Sequence, residues 1–231
     1  MDKRVLLTQP SSPVPKDFVA LAGRWCANYS VTLLNFVWQG YDLLLNDLPA
    51  GINDKDLERS ITESLELRIR KVMEGYEPYD IHLYIQHEPG EREKMSSPPA
   101  RPKQYDLAFK LYDQERIMWP IEAKVLETDG AIKEYKKDLN NEFLTCQYAP
   151  FSSEGAMLGY LLKGNPNNVF RNLEKKIPCT LTTHPNFQNR PCKMSDHVRK
   201  VEAGKPYPSQ FRCYHLILEF PGITRQSHKK A

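Results

Sequence analysis

The sequence WPIEAKVLETDG, residues 119 to 130, belongs to an apolar run that predicts a β-strand from Ile117 to Leu126. Glu122 and Lys124 are two positions apart in this run, and side chains two apart on a strand point to the same face. The strand is therefore predicted to carry a carboxylate beside an ammonium on one face. The intervening positions are apolar and predict a core on the other face: Ile121, Ala123 and Val125.

A second predicted strand precedes this one and carries another acid. The run YDLAFKLY, residues 105 to 112, is joined to it by the short turn DQER, which predicts a β-hairpin. Asp106 and Glu122 can then meet across neighbouring strands. Two carboxylates that face one point suit Mg²⁺, which keeps waters at its remaining positions. Lys124 can hold or activate an attacking water while the metal polarises a phosphate oxygen, a combination that predicts phosphodiester hydrolysis.

These residues resemble the signature of the PD-(D/E)XK nuclease superfamily. The resemblance covers residues 53 to 177 in the predicted order of elements, and Tyr105 stands where the motif has proline, a departure that the superfamily often shows. It implies that Mg²⁺, or Mn²⁺ in its place, is bound by two carboxylates and one backbone carbonyl, and that a lysine serves the nucleophilic water. In this chain those positions are Asp106, Glu122, Ala123 and Lys124.

A third acid is predicted on the helix that runs from Asn53 or Asp54 to about Met73. Many members of the superfamily add a glutamate from this helix. At about 100° per residue, Glu58 falls within the apolar stripe of the helix, whereas Glu63 lies almost opposite to it. Because a carboxylate on an apolar face needs a partner, we predict Glu58 as a further metal ligand. The alternative is that Glu58 only complements the helix dipole.

The predicted order of helices and strands indicates the α/β class, and the resemblance implies the finer fold. We predict a restriction-endonuclease-like mixed β-sheet core flanked by helices, with an extra N-terminal helical segment. One domain is expected over residues 1–231. Its parts are an N-terminal arm and helices (1–52), a catalytic core (53–177) and a basic C-terminal extension with a final strand (178–231). Residues 178–208 have little periodicity and are expected to lack regular structure, and the Pro-rich loop at residues 89–103 is expected to be mobile.

Two short sequences near the carboxyl end, SDHVRK and YHLILEF, resemble the same region of small bacterial nucleases in phage-defence loci. That resemblance implies a role in defence against foreign DNA. His197 and Arg199, near Ser195, are candidate phosphate contacts, although a surface loop of ordinary polar residues is the favoured interpretation. Lys136, on the helix after the hairpin, is a further candidate contact to the nucleic-acid backbone, or a residue of a solvated helix face.

A zinc site is an alternative role for part of the same region. Four residues are spaced as Cys-x4-His-x7-Cys-x4-His, but structural zinc sites generally use closer cysteine pairs. The five cysteines of the chain are scattered, and we expect reduced thiols. The four candidate zinc ligands are Cys179, His184, Cys192 and His197.

The charge distribution bears on the partners of the protein. The net charge is +3, and the residues from Arg171 onward contain 12 Lys or Arg against 4 Asp or Glu. Because little basic charge remains elsewhere, we expect self-association or a second protein to help in substrate capture. No apolar run is long enough for a membrane span or a signal peptide, so a cytoplasmic location without membrane contact is expected.

Two functions of different classes follow from these observations. The first is a Mg²⁺-dependent nuclease, with DNA favoured over RNA as the substrate. The second is a catalytically inactive adaptor that keeps the same fold and binds nucleic acid or a partner protein through its basic carboxyl-terminal third. Metal binding by the acids separates them, because an adaptor has no need of a metal at Asp106 and Glu122.

Overall fold

A computed structural model describes residues 16–47, 56–76, 83–91, 103–112 and 114–223. The α-helices of the described residues are α1 (Lys16–Asn46), α2 (Leu57–Glu74), α3 (Lys133–Asp138) and α4 (Pro166–Glu174). Their strands are β1 (Leu83–His87), β2 (Gly90–Glu91), β3 (Lys103–Gln104), β4 (Leu107–Leu111), β5 (Gln114–Leu126), β6 (Glu154–Leu161), β7 (Thr182–Thr183), β8 (Cys192–Val198) and β9 (Gln210–Glu219). A π-helical turn, Leu139–Phe143, continues α3, and a 3₁₀ turn, Pro185–Phe187, precedes β8.

Seven strands form one mixed sheet in the order β1, β4, β5, β6, β9, β8, β7. The central strands β5, β6 and β9 are parallel to each other, and all other neighbours are antiparallel. The predicted α/β class with a mixed sheet flanked by helices is confirmed. Strands β2 and β3 form a separate short ribbon.

The predicted hairpin is formed by β4 and β5. Leu107 pairs with Ile121 and Phe109 with Trp119 in an antiparallel register. The run EGAMLGYLL, predicted as a central strand, forms β6 between β5 and β9. Since β5 has a neighbour on each side, its backbone is held at the middle of the sheet, and its side chains project into two different environments.

Helices cover both faces of the sheet. On one face, α1 and α2 pack against the apolar side of β5, where Ile121 and Ala123 are fully buried. Helix α1 is continuous over its 31 residues, and it approaches α2 closely at Gly40, where an added Cβ would lie 2.5 Å from the Ile69 side chain. On the other face, α3 and α4 bury residues that include Tyr135 and Phe170.

The expectation that residues 178–208 lack regular structure is wrong. Strand β8 pairs with β9 from Cys192 to Val198, and β7 extends the sheet by one more strand. The sequence of β8 lacks a clear alternation of apolar and polar residues, because its inward-pointing residues Ser195 and His197 are polar.

Some predictions fall outside the described residues. These are the N-terminal arm, the proposed caps Asn53 and Asp54, and most of the loop predicted to be mobile. Among the helices that are described, none is long and apolar enough to cross a membrane.

Candidate active site

The ammonium of Lys124 lies at the centre of a cluster of oxygen atoms. Its Nζ atom donates to the carbonyl oxygen of the preceding residue, and four carboxylates surround it. The distances from Nζ are 2.6 Å to the Ala123 carbonyl oxygen, 2.8 Å to Glu122 Oε1, 3.1 Å to Glu58 Oε1, 3.2 Å to Asp138 Oδ2 and 3.6 Å to Asp106 Oδ2. The structure therefore brings together Glu58, Asp106, Glu122, Ala123 and Lys124, all of which the sequence singled out.

The backbone of β5 fixes two of these acids. Asp106, directly before β4, accepts a hydrogen bond from the Ala123 N–H at 2.7 Å through Oδ2. Glu58, on the first turn of α2, accepts from the Val125 N–H at 3.0 Å through Oε2. Both donors are main-chain groups of a central strand, so the two carboxylates occupy defined positions beside it.

The choice of Glu58 among the acids of α2 agrees with its position in the fold. Glu63 lies on the open side of the helix, where its side chain is 50% exposed and pairs with Arg59. Glu66 is buried but forms an ion pair with Arg70, one turn away on the same helix. Of the three, Glu58 is the one in contact with Lys124.

The charges of the cluster do not balance when all its groups are ionised. Four carboxylates surround one ammonium, and the Glu122 side chain is only 6% exposed. Burial and the neighbouring charge of Asp106 raise the pKa of Glu122 well above its usual range. Burial also raises the pKa of Glu58. For Lys124, burial disfavours the charged form, but Glu122, Asp106 and Glu58 outweigh it and hold the pKa of the ammonium above its usual value.

One oxygen of Glu122 has no hydrogen-bond partner among the residues that the structure describes. Oε1 accepts from Lys124, whereas Oε2 is buried without a donor. A buried carboxylate oxygen without a partner is costly, because it has lost its hydration and gained nothing in return. Such an atom next to an excess of negative charge fits a cation ligand.

The donor set fits a hard divalent cation. All the groups around Lys124 are carboxylate or carbonyl oxygens, which Mg²⁺ and Mn²⁺ prefer over nitrogen and sulfur donors. In the described part of the chain, no group of three or more His, Cys, Asp or Glu side chains is arranged to hold a metal ion as it stands. The oxygens here lie at ion-pair distances from an ammonium, longer than the roughly 2.1 Å of a Mg²⁺ to oxygen bond.

The zinc alternative is not supported. All four candidate ligands are among the described residues, and these contain no group of three or more His, Cys, Asp or Glu side chains arranged to hold a metal ion. Cys179 Sγ lies 3.8 Å from His197 Nε2, whereas His184 Nδ1 instead accepts from the Asn186 N–H at the start of the 3₁₀ turn. The described cysteines are free thiols: Cys146, Cys179, Cys192 and Cys213.

The interpretation of residues 195–200 as a surface loop is wrong, because residues 195–198 belong to β8. The phosphate contacts of His197 and Arg199 stay a prediction. His197 is buried, and Ser195 Oγ lies 2.6 Å from its Nε2. Arg199 is also buried, and its guanidinium group lies over the aromatic ring of Phe211. It donates to main-chain carbonyl oxygens of Tyr148, Ala149, Pro150 and Ser152. Lys136, by contrast, lies half-buried on α3.

Arg199 therefore holds the loop that follows the π-helical turn, and its replacement should destabilise the protein. We expect Arg199→Met to lower the free energy of unfolding by about 2 to 4 kcal/mol, because the carbonyl oxygens lose a buried, charged donor. Urea denaturation measures this change. Arg212→Met, which removes a half-exposed partner of Asp196, is the matched control and should change stability by less than about 1 kcal/mol. Equal effects of the two substitutions would contradict the assignment.

Sequence reasoning missed one residue of the site. Asp138, the last residue of α3, contacts Lys124 and is 18% exposed. Its position could have been anticipated, because it follows the buried Tyr135 by three residues on the same helix face. The charge of Glu122 also acts on Tyr148, whose pKa is raised first by burial and then by this and other acids.

Comparisons with known proteins add no assignment. No family model, curated protein or solved structure matches the chain. The geometry of the oxygen cluster is therefore the basis for inferring function.

Proposed function

We propose that the chain is a Mg²⁺-dependent nuclease that hydrolyses phosphodiester bonds and has the restriction-endonuclease-like fold. The observation that carries the proposal is the buried Oε2 atom of Glu122, which lies in a cluster of four acids and one lysine and has no hydrogen-bond partner in the described part of the chain. A solvated cross-strand ion pair, the simpler explanation, does not account for a buried oxygen left without a partner.

The residues of the cluster divide into cation ligands and a water-holding group. Asp106, Glu122 and the carbonyl oxygen of Ala123 would hold Mg²⁺, with Glu58 as a further ligand. Bound Mg²⁺ would supply Lewis-acid polarisation of a phosphate oxygen and stabilise the leaving group. Lys124 stays protonated, because the acids raise its pKa. It therefore positions the attacking water, or the developing negative charge, as a hydrogen-bond donor rather than as a base.

The order of elements supports the fold assignment within this proposal. Helix α2 carries Glu58, Asp106 directly precedes β4, and Glu122 lies on β5. Helix α3 then leads to β6, which is parallel to β5. The site thus lies on the central hairpin, with α2 and α3 on its two sides.

Substrate and setting belong to the same proposal. We favour DNA over RNA, and defence against phage or plasmid DNA, on the resemblance of the carboxyl-terminal sequences. The small net charge of +3 favours a homo-oligomer or a second protein that supplies substrate capture. Lys136 remains a candidate contact to the nucleic-acid backbone, two residues before Asp138 on α3.

Incubation of purified protein with supercoiled plasmid and Mg²⁺ tests the proposal. The protein is expected to nick or linearise the plasmid with Mg²⁺ and not with a chelator. Glu122→Ala should be inactive, whereas Glu63→Gln, on the open side of α2, should cut like the unsubstituted protein. Cleavage at equal rates by the protein and Glu122→Ala would overturn the assignment.

One observation favours a non-catalytic adaptor as the second candidate. Lys124 already forms an ion pair with every acid of the cluster, so these contacts stabilise the fold without a metal. Calorimetric titration with Mg²⁺ or Mn²⁺ separates the candidates. Binding that is lost in Glu122→Ala supports the nuclease, and absence of binding supports the adaptor.

The raised pKa of Glu122 predicts how metal binding depends on pH. Without metal the carboxyl keeps its proton to a higher pH than usual, whereas a ligand must be ionised. Acidification from neutral pH towards the ordinary glutamate pKa of about 4.3 should therefore weaken Mg²⁺ binding, and binding should release protons. Titration calorimetry in buffers of different ionisation enthalpy measures the release. An affinity that is constant over this range would contradict the prediction.

A further inference from the structure

Asp138 differs from the other acids in how it is held. Asp106 and Glu58 each accept a backbone N–H of β5, and Glu122 belongs to that strand. Among the residues that the structure describes, Asp138 makes a single ion pair, at 3.2 Å, and its partner is Lys124. Its carboxylate is therefore oriented by the lysine alone.

Helix α3 nevertheless fixes where this carboxylate can be. Tyr135, one turn earlier, is fully buried and its hydroxyl donates to the Met157 carbonyl oxygen of β6 at 3.1 Å. The same hydroxyl lies 3.0 Å from His215 Nδ1 of β9. Leu139, the next residue after Asp138, is also buried. The end of α3 is thus anchored to two strands of the sheet, independently of the acid cluster.

If a cation binds in the cluster, fewer oxygen atoms remain as partners for the Lys124 ammonium. The ligands would be Asp106, Glu122 and the Ala123 carbonyl oxygen, with Glu58 as a further ligand, and all four groups now contact Nζ. Two cations cannot share the same oxygens at close range, because their charges repel each other strongly in a partly buried site. The ammonium must then move towards an acid that does not hold the cation. Within the described residues, the acid of the cluster that is outside this ligand set is Asp138, and its ion pair is with Lys124.

We infer that Asp138 is a positioning residue for Lys124, holding the ammonium beside the cation once the other oxygens bind metal. This inference rests on the proposed function. Two independent observations carry it: the ion pair from an anchored helix end, and the buried Glu122 oxygen without a partner, which indicates that the cluster receives a cation. Asp138 acts through Lys124 and is not itself a ligand.

The test compares Asp138→Asn with Glu122→Gln and with Glu134→Gln, an exposed acid one turn earlier on α3 that pairs with Lys137. Mn²⁺ affinity is measured by titration, and kcat and KM are measured on plasmid DNA. For Asp138→Asn we expect Mn²⁺ affinity within about threefold of the unsubstituted protein and a fall in kcat of about 30-fold or more. KM should change little, Asp138→Glu should recover part of kcat, and Glu134→Gln should have no effect.

Thermal unfolding in saturating Mn²⁺ gives a readout that does not depend on cleavage. The melting temperatures of Asp138→Asn, Lys124→Met and the double variant form a cycle. If the two groups interact in the metal-bound protein, the fall in melting temperature of the double variant should be smaller than the sum of the falls of the two single variants by at least about 3 °C. An additive cycle overturns the inference.

The possible failures can be told apart. Loss of Mn²⁺ affinity in Asp138→Asn as large as in Glu122→Gln would make Asp138 a ligand and overturn the inference, while the proposed function would stand. An unchanged kcat in Asp138→Asn would also overturn it. If the unsubstituted protein binds no Mn²⁺, the proposed function fails, and the inference fails with it.

Discussion

Lys124→Met is expected to unfold about 10 °C below the unsubstituted protein when a chelator is present. The substitution keeps most of the side-chain length but removes the one ammonium that four partly or fully buried carboxylates surround. Removing one partner of a buried ion pair generally destabilises a protein by about 3 to 5 kcal/mol, because the remaining charge is left uncompensated. For a chain of this length that change corresponds to roughly 10 °C in melting temperature.

Addition of Mg²⁺ should reduce the difference in melting temperature between Lys124→Met and the unsubstituted protein. A divalent cation can neutralise the same carboxylates, so its binding stabilises Lys124→Met more than it stabilises the unsubstituted protein. Thermal unfolding with chelator and with Mg²⁺ measures both effects. Lys137→Met, which removes an exposed lysine of α3, is the control and should melt like the unsubstituted protein. If Lys124→Met were as stable as the control in chelator, this ammonium would not be needed to compensate the charges of the acids.

Glu122→Gln is expected to lower Mg²⁺-dependent cleavage by about a thousandfold or more. The amide preserves the shape of the side chain but removes the negative charge that a cation ligand needs. Glu63→Gln, a change of the same chemistry on the open side of α2, should retain full activity. Retained cleavage in Glu122→Gln would show that another group binds the metal.

The same substitution should leave the metal-free protein equally stable or more stable. Folding raises the pKa of Glu122, so its ionised form is disfavoured in the folded state. This destabilisation is fully present above the raised pKa and disappears as the pH falls below the unfolded value of about 4.3. Glu122→Gln should therefore melt at a higher temperature at neutral pH in chelator, and the gain should vanish on acidification. A lower melting temperature at neutral pH would contradict this charge argument.

Local sequence patterns were sufficient to predict the parts of the site that lie on one hairpin and one helix. Side-chain alternation placed Glu122 and Lys124 on one face of β5, and the helical period placed Glu58 rather than Glu63 towards them. The hairpin itself followed from two strand-like runs joined by a short turn, and the structure confirms it. In each case the predicted contact depends on periodicity and on neighbours close in the chain.

The remaining features depend on contacts between distant parts of the chain. Arg199 donates to carbonyl oxygens about 50 residues earlier, and no local pattern distinguishes such an arginine from one on the surface. Strand β8 was missed because it buries Ser195 and His197, whose polar atoms bond to each other, with Ser195 also 2.7 Å from His215 Nε2 on β9. Asp138 reaches Lys124 only because α3 is packed on β6 and β9.

A crystal structure of the protein grown with Mn²⁺ tests the central claim most directly, because anomalous scattering locates the ion without ambiguity. We predict an ion bound by Asp106, Glu122 and the Ala123 carbonyl oxygen at about 2.2 Å from each. The Lys124 ammonium should have moved away from these oxygens while remaining close to Asp138. A structure in which Mn²⁺ lies only elsewhere, with Lys124 still between the four acids, would contradict the assignment of this cluster as a metal-dependent active site.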